Sequence, residues 1–377
     1  MKTRILVLGA GFGGLELTTL LTESLGDSVD ITLIDKSDSF TFGYSKLDVM
    51  FRGTPVESVG LPYRNFVKPG VRFCQETILS VDPAAKRVAT SAGIYEAEHL
   101  VIALGADYDI AATPGLADAS EFYTVPGAAR IGQLLQSFPG GHVVIGLCGA
   151  PYKCPPAPCE AAFMLHDFLT ERGLRQKSKI TLISPFDIPI PPSPETSQAI
   201  LAAFAERDIG FLAEREVQSI DAVRKIATTD DGQQHGYDLF LGVPKHRAPK
   251  ILAEAGLTEG GWVAVNKYTL QTRFPDVYAI GDCAKQGTPK AGLFAEGAAR
   301  AVASALVAKL RVGATGAPHE GKGSCYLEFG GGLIGRVDVD FFSNPDGPTG
   351  SYFPPSLEMR ANKEHFGATR RARWFGL

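Results

Sequence analysis

The most constraining feature of the sequence is a glycine-rich turn between a strand and a helix close to the N-terminus. The segment RILVLGA predicts a β-strand, GFGGLELTTLLTESLG predicts a helix, and DITLIDKS predicts a second strand. Gly9, Gly11 and Gly14 match the pattern G-x-G-x-x-G, and Asp35 ends the second strand about 20 residues later. This order of elements predicts a βαβ unit that binds a dinucleotide.

Each residue of this turn has a physical role in holding a dinucleotide. Gly9 permits the tight turn, Gly11 lets the backbone approach a pyrophosphate, and Gly14 lets the helix pack closely on the strand. The helix N-terminus directs free N–H groups and a positive dipole towards the phosphates, and Asp35 accepts hydrogen bonds from a ribose. A glycine-rich turn without a ligand is the alternative interpretation.

A second βαβ unit is predicted between about His142 and Phe186, because GHVVIGLCGA, CEAAFMLHDFLTERGL and KITLISPF repeat the order strand, helix, strand. Two recognition features are missing from it. Its turn continues into a proline-rich loop, and Ser184 stands where the ribose-binding acid would be. We therefore predict that one dinucleotide binds, at the first unit, and that the second unit is retained as scaffold.

Two further segments resemble flavoproteins with two dinucleotide-binding domains, of the pyridine nucleotide–disulfide oxidoreductase type. EHLVIALGADYD predicts a strand ending at Gly105, and FPDVYAIGDCAKQGTPKAGLFAEGAARAVASAL predicts a strand, a Gly281–Asp282 turn and a helix. In that family the GD pair contacts FAD, and the next segment, here Pro289–Gly292, runs under the flavin ring, where a helix N-terminus stabilises the reduced anion. The resemblance implies that FAD contacts Gly9, Gly11, Phe12, Gly14, Asp35, Lys36, Ala103, Gly105, Gly281, Asp282, Lys290 and Ala291.

The predicted fold class is α/β, with two Rossmann-like, doubly wound domains and a small C-terminal α+β segment. The first domain binds FAD and is discontinuous, over residues 1–110 and 265–312. The second, degenerate domain covers residues 111–264 and carries a cysteine-containing loop. Residues 313–377 form a C-terminal region that contacts the electron acceptor or a membrane.

The loop of the second unit, GLCGAPYKCPPAPCEAA, places a thiol where a pyrophosphate would otherwise bind. Cys154 precedes a helix predicted to begin near Cys159, and a helix N-terminus lowers the pKa of a thiol. Pro155, Pro156 and Pro158 fix the backbone and remove N–H donors that a pyrophosphate would use. The second turn has thus exchanged nucleotide binding for a positioned sulfur.

This loop resembles the stretch around the active cysteine of sulfide:quinone oxidoreductases and, more closely, of flavocytochrome c sulfide dehydrogenases. In those families a cysteine from a C-terminal segment closes a disulfide over the flavin, and the corresponding segment here is GKGSCYLEFGGG with Cys325. The resemblance extends over nearly the whole chain and implies Cys154 and Cys325 as the redox pair. It also implies that Glu160 handles protons near the sulfur. A first-turn acid favoured by the helix dipole is the alternative for Glu160.

The implied reaction begins when hydrosulfide attacks a Cys154–Cys325 disulfide and leaves a persulfide on one cysteine. The freed thiolate passes two electrons to FAD, the sulfur leaves as persulfide or polysulfide, and a quinone reoxidises the flavin. Three alternatives stay open: a c-type cytochrome as acceptor, a type II NADH:quinone reductase, and a non-catalytic FAD-binding redox sensor. A small thiol or a persulfide is an alternative to inorganic sulfide.

The chain departs from these families at several cysteine positions. No cysteine stands near Phe42-Gly43-Tyr44, where flavocytochrome subunits attach FAD, so we predict non-covalent FAD. No cysteine follows the predicted strand that ends in the letters ALG, residues 103–105. The handling of long polysulfide chains is therefore left open. Cys74 and Cys283 are predicted to be structural. Cys148 is ambiguous, and Cys159 has either a packing role or a chemical one.

The composition excludes some other classes of function. The net charge of −4 argues against nucleic-acid binding, which needs a basic face, and no metal site is predicted. No apolar run approaches the ~18 residues of a membrane-spanning helix. Because a strand begins almost at Met1, we expect no signal peptide and a cytoplasmic location.

Two aromatic sets at the C-terminus bear on the electron acceptor. Phe329, Phe341, Phe342 and Phe353 are predicted either to wall a quinone pocket or to belong to the core. In the tail ATRRARWFGL, basic residues adjoin Trp374 and Phe375. This tail suits peripheral contact with the inner face of the cell membrane, or a helix end docked on the first domain.

Overall fold

The computed structural model describes residues 2–311 and 316–377. The described residues form eight α-helices, and a π-helical turn over Arg371–Phe375 follows the last of them. The helices are α1 (Phe12–Leu25), α2 (Ser45–Phe51), α3 (Val125–Gln136), α4 (Ala157–Glu171), α5 (Pro194–Glu206), α6 (Lys250–Glu254), α7 (Gly292–Leu310) and α8 (Leu357–Arg370).

The strands of the described residues fall into several sheets, of which three position the site. They are β1 (Thr3–Leu8), β2 (Val29–Asp35), β3 (Ser39–Thr41), β4 (Gly60–Pro62), β5 (Val71–Gln75), β6 (Ile78–Asp82), β7 (Arg87–Thr90), β8 (Ile94–Glu96), β9 (His99–Ile102), β10 (Asp107–Asp109), β11 (Gly141–Leu147), β12 (Ser178–Ile183), β13 (Ile209–Leu212), β14 (Val217–Asp221), β15 (Ile226–Thr229), β16 (Gln234–Gly236), β17 (Leu239–Val243), β18 (Lys245–Arg247), β19 (Thr258–Glu259), β20 (Trp262–Ala264), β21 (Val277–Ala279), β22 (Ala284–Lys285), β23 (Lys322–Glu328), β24 (Ile334–Asp340) and β25 (Thr349–Ser356).

The first sheet is parallel and has the strand order β21-β9-β1-β2-β5. Its central strand β1 is a continuous apolar run because both of its faces are covered, so that Ile5 to Leu8 are almost inaccessible to solvent. Helix α1 connects β1 to β2 and packs against α7. The βαβ unit predicted around the glycine-rich turn is therefore present.

The second sheet is also parallel, with the order β13-β12-β11-β17. Helix α4 connects β11 to β12, as α1 connects β1 to β2, which is the predicted internal repeat. A third, antiparallel sheet of β23, β24 and β25 follows, and α8 packs on it. The predicted fold class is confirmed, and the domain boundaries given above remain a prediction.

The C-terminal tail is docked on the first βαβ unit. Trp374 and Phe375 are buried in the same core as β1 and α1. The Trp374 indole Nε1 donates a hydrogen bond of 2.9 Å to Glu16 in α1, and Arg373 pairs with Glu16 and Glu23. These aromatic side chains are therefore not available to a bilayer, so the membrane role considered for them is wrong and the docked helix end is correct.

Within residues 2–311 and 316–377, every helix is too short or too polar to span a bilayer.

The four C-terminal phenylalanines do not wall one pocket. Phe329 is buried against Phe163 with ring centroids 5.1 Å apart, and Phe341 packs against Phe294 at 5.8 Å. Phe342 contacts Tyr268, and Phe353 lies at the surface beside Arg336. Each ring has its own neighbours, which corrects the idea of a shared quinone pocket.

Candidate active site

A cavity of about 440 Å³ lies where the first sheet meets the cysteine loop of the second unit. Residues that follow β1, β9 and β21 line one side of it, and the carboxyl ends of parallel strands are where ligands bind in such sheets. The cavity brings together most of the predicted site residues. Those that line it are Gly11, Phe12, Ala103, Gly105, Cys154, Glu160, Gly281, Asp282, Lys290 and Ala291.

The three fingerprint glycines are required for different reasons. Gly9 has φ +99°, and a Cβ there would collide with the Ala103 carbonyl oxygen. A Cβ on Gly14 would overlap the carbonyl oxygen of Gly9, so this glycine allows close packing of helix and strand. A Cβ on Gly11 would meet nothing within 4 Å, although Gly11 lines the cavity. The open space at Gly11 is the part of the turn that fits a ligand.

Asp35 supports the turn through the backbone. Its carboxylate accepts hydrogen bonds of 2.8 Å from the N–H groups of Ala10 and Ser37. Tyr63, which lines the cavity, donates its hydroxyl to the Ala10 carbonyl oxygen at 2.8 Å. Asp35, Lys36, Gly9, Gly14 and Cys325 are described residues that do not line the cavity, and their predicted roles remain predictions.

The GD turn and the segment after it form the floor of the cavity. Gly281 has φ +74°, which places it in the left-handed region, and Asp282 is half-buried beside Lys290. The Lys290 ammonium donates to the Asp282 carbonyl oxygen at 2.7 Å and lies 3.3 Å from the centre of the Trp262 ring. Burial lowers the pKa of Lys290 to about 8. Helix α7 begins directly after this segment, at Gly292, with its N-terminus towards the cavity.

The cysteine loop is tied to that same segment by the main chain. The Cys154 N–H donates to the Lys290 carbonyl oxygen at 2.8 Å, and Cys154 has φ +51°. A left-handed conformation is uncommon for a residue with a Cβ and is typical of functional positions that the surroundings hold in place. Helix α4 begins at Ala157, so Cys154 precedes a helix as predicted.

The acidity expected for Cys154 is wrong. Burial raises the pKa of the Cys154 thiol well above its ordinary value, and the charges of Glu160 and Cys325 raise it further. Lys46 and Lys363 act in the opposite direction. The expectation counted the helix N-terminus and omitted the loss of solvent around the sulfur, which disfavours the thiolate.

Cys325 approaches the site from strand β23. It packs against the same apolar core as Cys154, and burial raises its pKa to about 12. All six cysteines lie in the described part of the chain, and all six are free thiols. A disulfide between Cys154 and Cys325 therefore remains a prediction.

Glu160, in the first turn of α4, is a buried acid on the cavity wall. Its Oε1 accepts a hydrogen bond of 3.1 Å from the Glu328 N–H, and only 2% of the residue is exposed. Burial raises the pKa of Glu160 to about 7, although the charge of Lys363 opposes this effect. A carboxyl group with such a pKa exchanges protons readily near neutral pH.

Sequence reasoning missed a basic and aromatic wall on the other side of Cys154. Lys46 donates to the Tyr123 carbonyl oxygen at 2.6 Å, and Lys153 lies 4.3 Å from the centre of the Tyr108 ring. The buried Tyr123 hydroxyl has no hydrogen-bond partner within residues 2–311 and 316–377, although Tyr123 lines the cavity. An orphaned hydroxyl of this kind fits a cavity that holds a polar ligand. Only Lys153, next to Cys154 in sequence, was signalled by a motif.

The other cysteines do not line the cavity. Cys283 is fully buried and directs its thiol at the Ile280 and Ile102 carbonyl oxygens, which confirms its structural role. Cys148 belongs to the core behind the second sheet. Cys159 is 3% exposed and its pKa is raised by burial, so the structure favours packing over a chemical role.

The glycines in the turn of the second unit face protein side chains, whereas Gly11 in the first turn faces open space. A Cβ on Gly149 would lie 2.8 Å from Cγ of Lys245, whose side chain covers this glycine. Gly146 packs on the Phe240 ring, and a Cβ there would approach it to 2.6 Å. Ser184, at the place of the acid, is buried and accepts a hydrogen bond from the Phe186 N–H. These glycines serve packing inside the protein.

Comparison with known proteins finds relatives of more than one activity. The profile of the pyridine nucleotide-disulphide oxidoreductase family matches residues 3–305. Mouse mitochondrial sulfide:quinone oxidoreductase is 25% identical over 305 residues, which are 76% of this chain and 66% of that protein. Sulfide-quinone reductase of Aquifex aeolicus is 26% identical over 337 residues, 82% and 77% of the two chains. Type II NADH:quinone oxidoreductase of Staphylococcus aureus is 33% identical over 324 residues, 75% and 74% of the two chains.

Solved structures show the same architecture. Sulfide:quinone oxidoreductase from Aquifex aeolicus superposes with a TM-score of 0.86 at 24% identity, over 98% of this chain and 91% of that one. NDH2 from Plasmodium falciparum in complex with NADH gives a TM-score of 0.70 at 14% identity, over 100% and 99% of the two chains. These likenesses establish the fold of the chain.

Proposed function

Because this chain belongs to the pyridine nucleotide-disulphide oxidoreductase family, we propose that it is an FAD enzyme that oxidises sulfide and passes the electrons to a quinone. The observation that carries this proposal is the position of Cys154. The thiol lies on the cavity wall, and its backbone is bonded to the Lys290 segment that follows the GD turn. A sulfur held at this place serves chemistry beside a flavin better than it serves nucleotide binding.

The cavity offers the features that a flavin dinucleotide requires. The open side of Gly11 and the start of α1 suit the pyrophosphate, and the GD turn with the start of α7 suits the ring system. With no cysteine near Tyr44 in the sequence, the proposed binding is non-covalent. When bound, FAD accepts an electron pair and hands it to the next acceptor.

The proposed sulfur chemistry uses Cys154 and Cys325 as a disulfide in the oxidised enzyme. Hydrosulfide attacks one sulfur, so that a new S–S bond forms as the old one breaks, and a persulfide and a thiolate result. When the disulfide closes again, the sulfane sulfur leaves, bound to a second hydrosulfide as a polysulfide. This closure releases one proton and the electron pair that FAD takes up.

Glu160 is proposed to manage the protons of this cycle. Its carboxyl group lines the cavity, and its charge acts on both Cys154 and Cys325. With a pKa of about 7 it is present in both protonation states near neutral pH. It is therefore suited to take the proton that sulfide releases and to return it to solvent.

A type II NADH:quinone oxidoreductase is the second candidate, because the relative with 33% identity carries that name. This activity needs a nicotinamide nucleotide at the second unit. The side chain of Lys245 over Gly149, the prolines of the loop and the buried Ser184 all argue against such binding. A c-type cytochrome as acceptor and a non-catalytic redox sensor remain further alternatives.

Stopped-flow reduction of the flavin separates these candidates. Sulfide is expected to bleach the flavin of the wild-type holoenzyme rapidly, whereas NADH is not. Cys154→Ser should abolish the bleaching, and Cys148→Ser, at a buried cysteine away from the cavity, should leave it intact. Bleaching by NADH as fast as by sulfide, or full activity of Cys154→Ser, would contradict the proposal.

The acceptor is tested by reoxidation of the sulfide-reduced enzyme without oxygen. A water-soluble quinone is expected to restore the oxidised flavin spectrum faster than a c-type cytochrome at the same concentration. The reverse order of rates would assign the cytochrome as acceptor.

A further inference from the structure

The C-terminal helix α8 places a cation behind the candidate active site, outside the cavity. The Lys363 ammonium donates to Glu328 Oε1 at 2.7 Å, and only 14% of the Lys363 side chain is exposed. Glu328 in turn donates its backbone N–H to the carboxylate of Glu160. Lys363 is thus two contacts away from a group that lines the cavity, and its charge also acts on Cys154.

Glu328 is held from a second direction as well. Arg52 at the end of α2 binds its other oxygen at 2.8 Å, and Arg52 also pairs with Asp48. Two cations therefore neutralise one buried carboxylate, whose pKa is lowered although burial opposes this. A carboxylate with the two hydrogen-bonding cations keeps a fixed position, and so does the N–H that it presents to Glu160.

The charges around Glu160 come from several elements. Burial is the main cause of its raised pKa, followed in size by the opposing charge of Lys363 and then by the repulsion from Glu328. Asp48 also raises the pKa of Glu160, and the charge of Glu160 raises the pKa of Cys154, Cys159, Cys325 and Tyr123. The groups that face this region are Cys154, Cys159, Cys325, Glu328, Asp48, Lys46, Arg52, Tyr123, Tyr152 and Lys363.

We propose that Lys363 is a positioning residue of the active site, whose charge and hydrogen bond to Glu328 favour the ionised forms of Glu160 and Cys154. The proposal rests on the proposed function, because it assigns a role to these two groups. It makes α8, which carries no residue of the cavity wall, part of the catalytic apparatus. A salt bridge that only fastened α8 to the fold would leave the reactivity of Cys154 unchanged.

The first test measures the reactivity of Cys154 itself. The reduced holoprotein is treated with iodoacetamide over a range of pH, and alkylation of the Cys154 peptide is followed by mass spectrometry. In Lys363→Gln the rate at a given pH is expected to fall about threefold or more, since thiolate is the reactive form. Lys363→Arg keeps the charge and should restore the wild-type profile.

Arg360→Gln is the matched control on the same helix. Arg360 is 52% exposed and pairs with Glu364, away from Glu328. Its replacement should leave the alkylation profile unchanged. An unchanged profile in Lys363→Gln, or an equal loss in Arg360→Gln, would overturn the proposal.

Lys363→Gln can fold poorly for a reason unrelated to Cys154, because it leaves the buried Glu328 carboxylate with one cation instead of two. A second variant therefore removes the Glu328 charge as well. The double variant Lys363→Gln with Glu328→Gln removes both charges and keeps the shapes of the side chains. The double variant should alkylate Cys154 more slowly than Glu328→Gln alone, because it also lacks the Lys363 charge. Equal rates in these two well-folded variants would reject the proposal.

The pH profile of flavin reduction by sulfide provides the independent second readout. Lys363→Gln should move its rising limb to higher pH, and Lys363→Arg should move it back. If sulfide fails to reduce the wild-type flavin, the proposed function fails, whereas the alkylation profiles still decide the role of Lys363.

Discussion

The two βαβ turns of this protein have the same position in their sheets and opposite chemistry. In the first, between β1 and α1, glycines bring the backbone to the edge of a cavity and Gly11 faces open space. In the second, between β11 and α4, the side chains of Lys245 and Phe240 cover the glycines. Here the residues that line the cavity include Cys154. The apolar strands and helices preserve the architecture, whereas a few turn residues decide what each unit binds.

The helix N-termini show the same contrast. Phe12 begins α1 directly after Gly11, with no proline to restrict the backbone. Helix α4 begins after Pro155 and Pro156, which fix the chain that carries Cys154. One helix N-terminus is open to a phosphate, and the other is used to hold a side chain.

The largest expected effect is that of Gly9→Ala in the first turn. The positive φ and the collision with the Ala103 carbonyl oxygen should destabilise the protein by about 3 kcal/mol. Urea unfolding of the apo-protein measures this loss. Gly43→Ala is the control, because a Cβ there meets nothing within 4 Å and the backbone is not left-handed. A Gly9→Ala protein as stable as the wild type would show that the first turn does not require a glycine at this position.

Glu160→Gln should change how stability depends on pH. Folding raises the pKa of Glu160 from its ordinary value near 4.5 to about 7, so the folded state favours the protonated acid. This group therefore stabilises the protein fully below about pH 4, and that contribution falls by about 3 kcal/mol as the pH rises through 7. The variant should lose this part of the pH dependence in unfolding experiments between pH 4 and 8. Parallel curves for variant and wild type would show that Glu160 titrates normally.

Gly11→Ala should weaken flavin binding without a comparable loss of stability. The added methyl group meets no protein atom and occupies space next to the start of α1. We expect the dissociation constant of FAD to rise about tenfold, equivalent to about 1.4 kcal/mol. Flavin fluorescence titration of the apo-protein measures it. Gly93→Ala is the matched change, because a Cβ there also meets nothing within 4 Å and Gly93 does not line the cavity, so FAD affinity should stay unaltered.

The smallest expected effect is that of Pro156→Ala in the second turn. Pro156 has φ −71°, which a proline adopts without strain, so its main contribution is to restrict the unfolded chain. Its replacement should destabilise the protein by less than about 1 kcal/mol. It should also broaden the range of Cys154 positions, seen as a slower sulfide-dependent reduction at equal FAD affinity. An equal reduction rate would show that the prolines do not position the sulfur.

The sequence predicts the two βαβ units correctly because buried parallel strands are continuous apolar runs. The helices between them differ, since their apolar residues recur at helical spacing. The same local information identifies Gly9, Gly14 and the start of α4. It does not predict the raised pKa of Cys154, because burial depends on which other segments pack around the sulfur. It also does not identify Lys46 and Tyr123 as cavity residues, because they come from separate segments and belong to no motif.

The docked tail is a second case in which local sequence was insufficient. The pattern of basic and aromatic residues fits a bilayer surface and a protein surface equally well. Glu16 and Glu23 decide between the two, because they form one acidic face on α1 that pairs with Arg373 and the Trp374 indole. Recognising that face requires knowledge of which helix lies beside the tail.

The bond between the Cys154 N–H and the Lys290 carbonyl oxygen does not depend on the side chain at position 290, because it joins main-chain atoms. Every residue type supplies this carbonyl oxygen, so a substitution of the Lys290 side chain leaves the acceptor of the bond in place. Cys154→Pro would remove the N–H that donates this bond. The charge of Lys290 beside Asp282 can therefore be removed by substitution while the main-chain tie to the cysteine loop is kept.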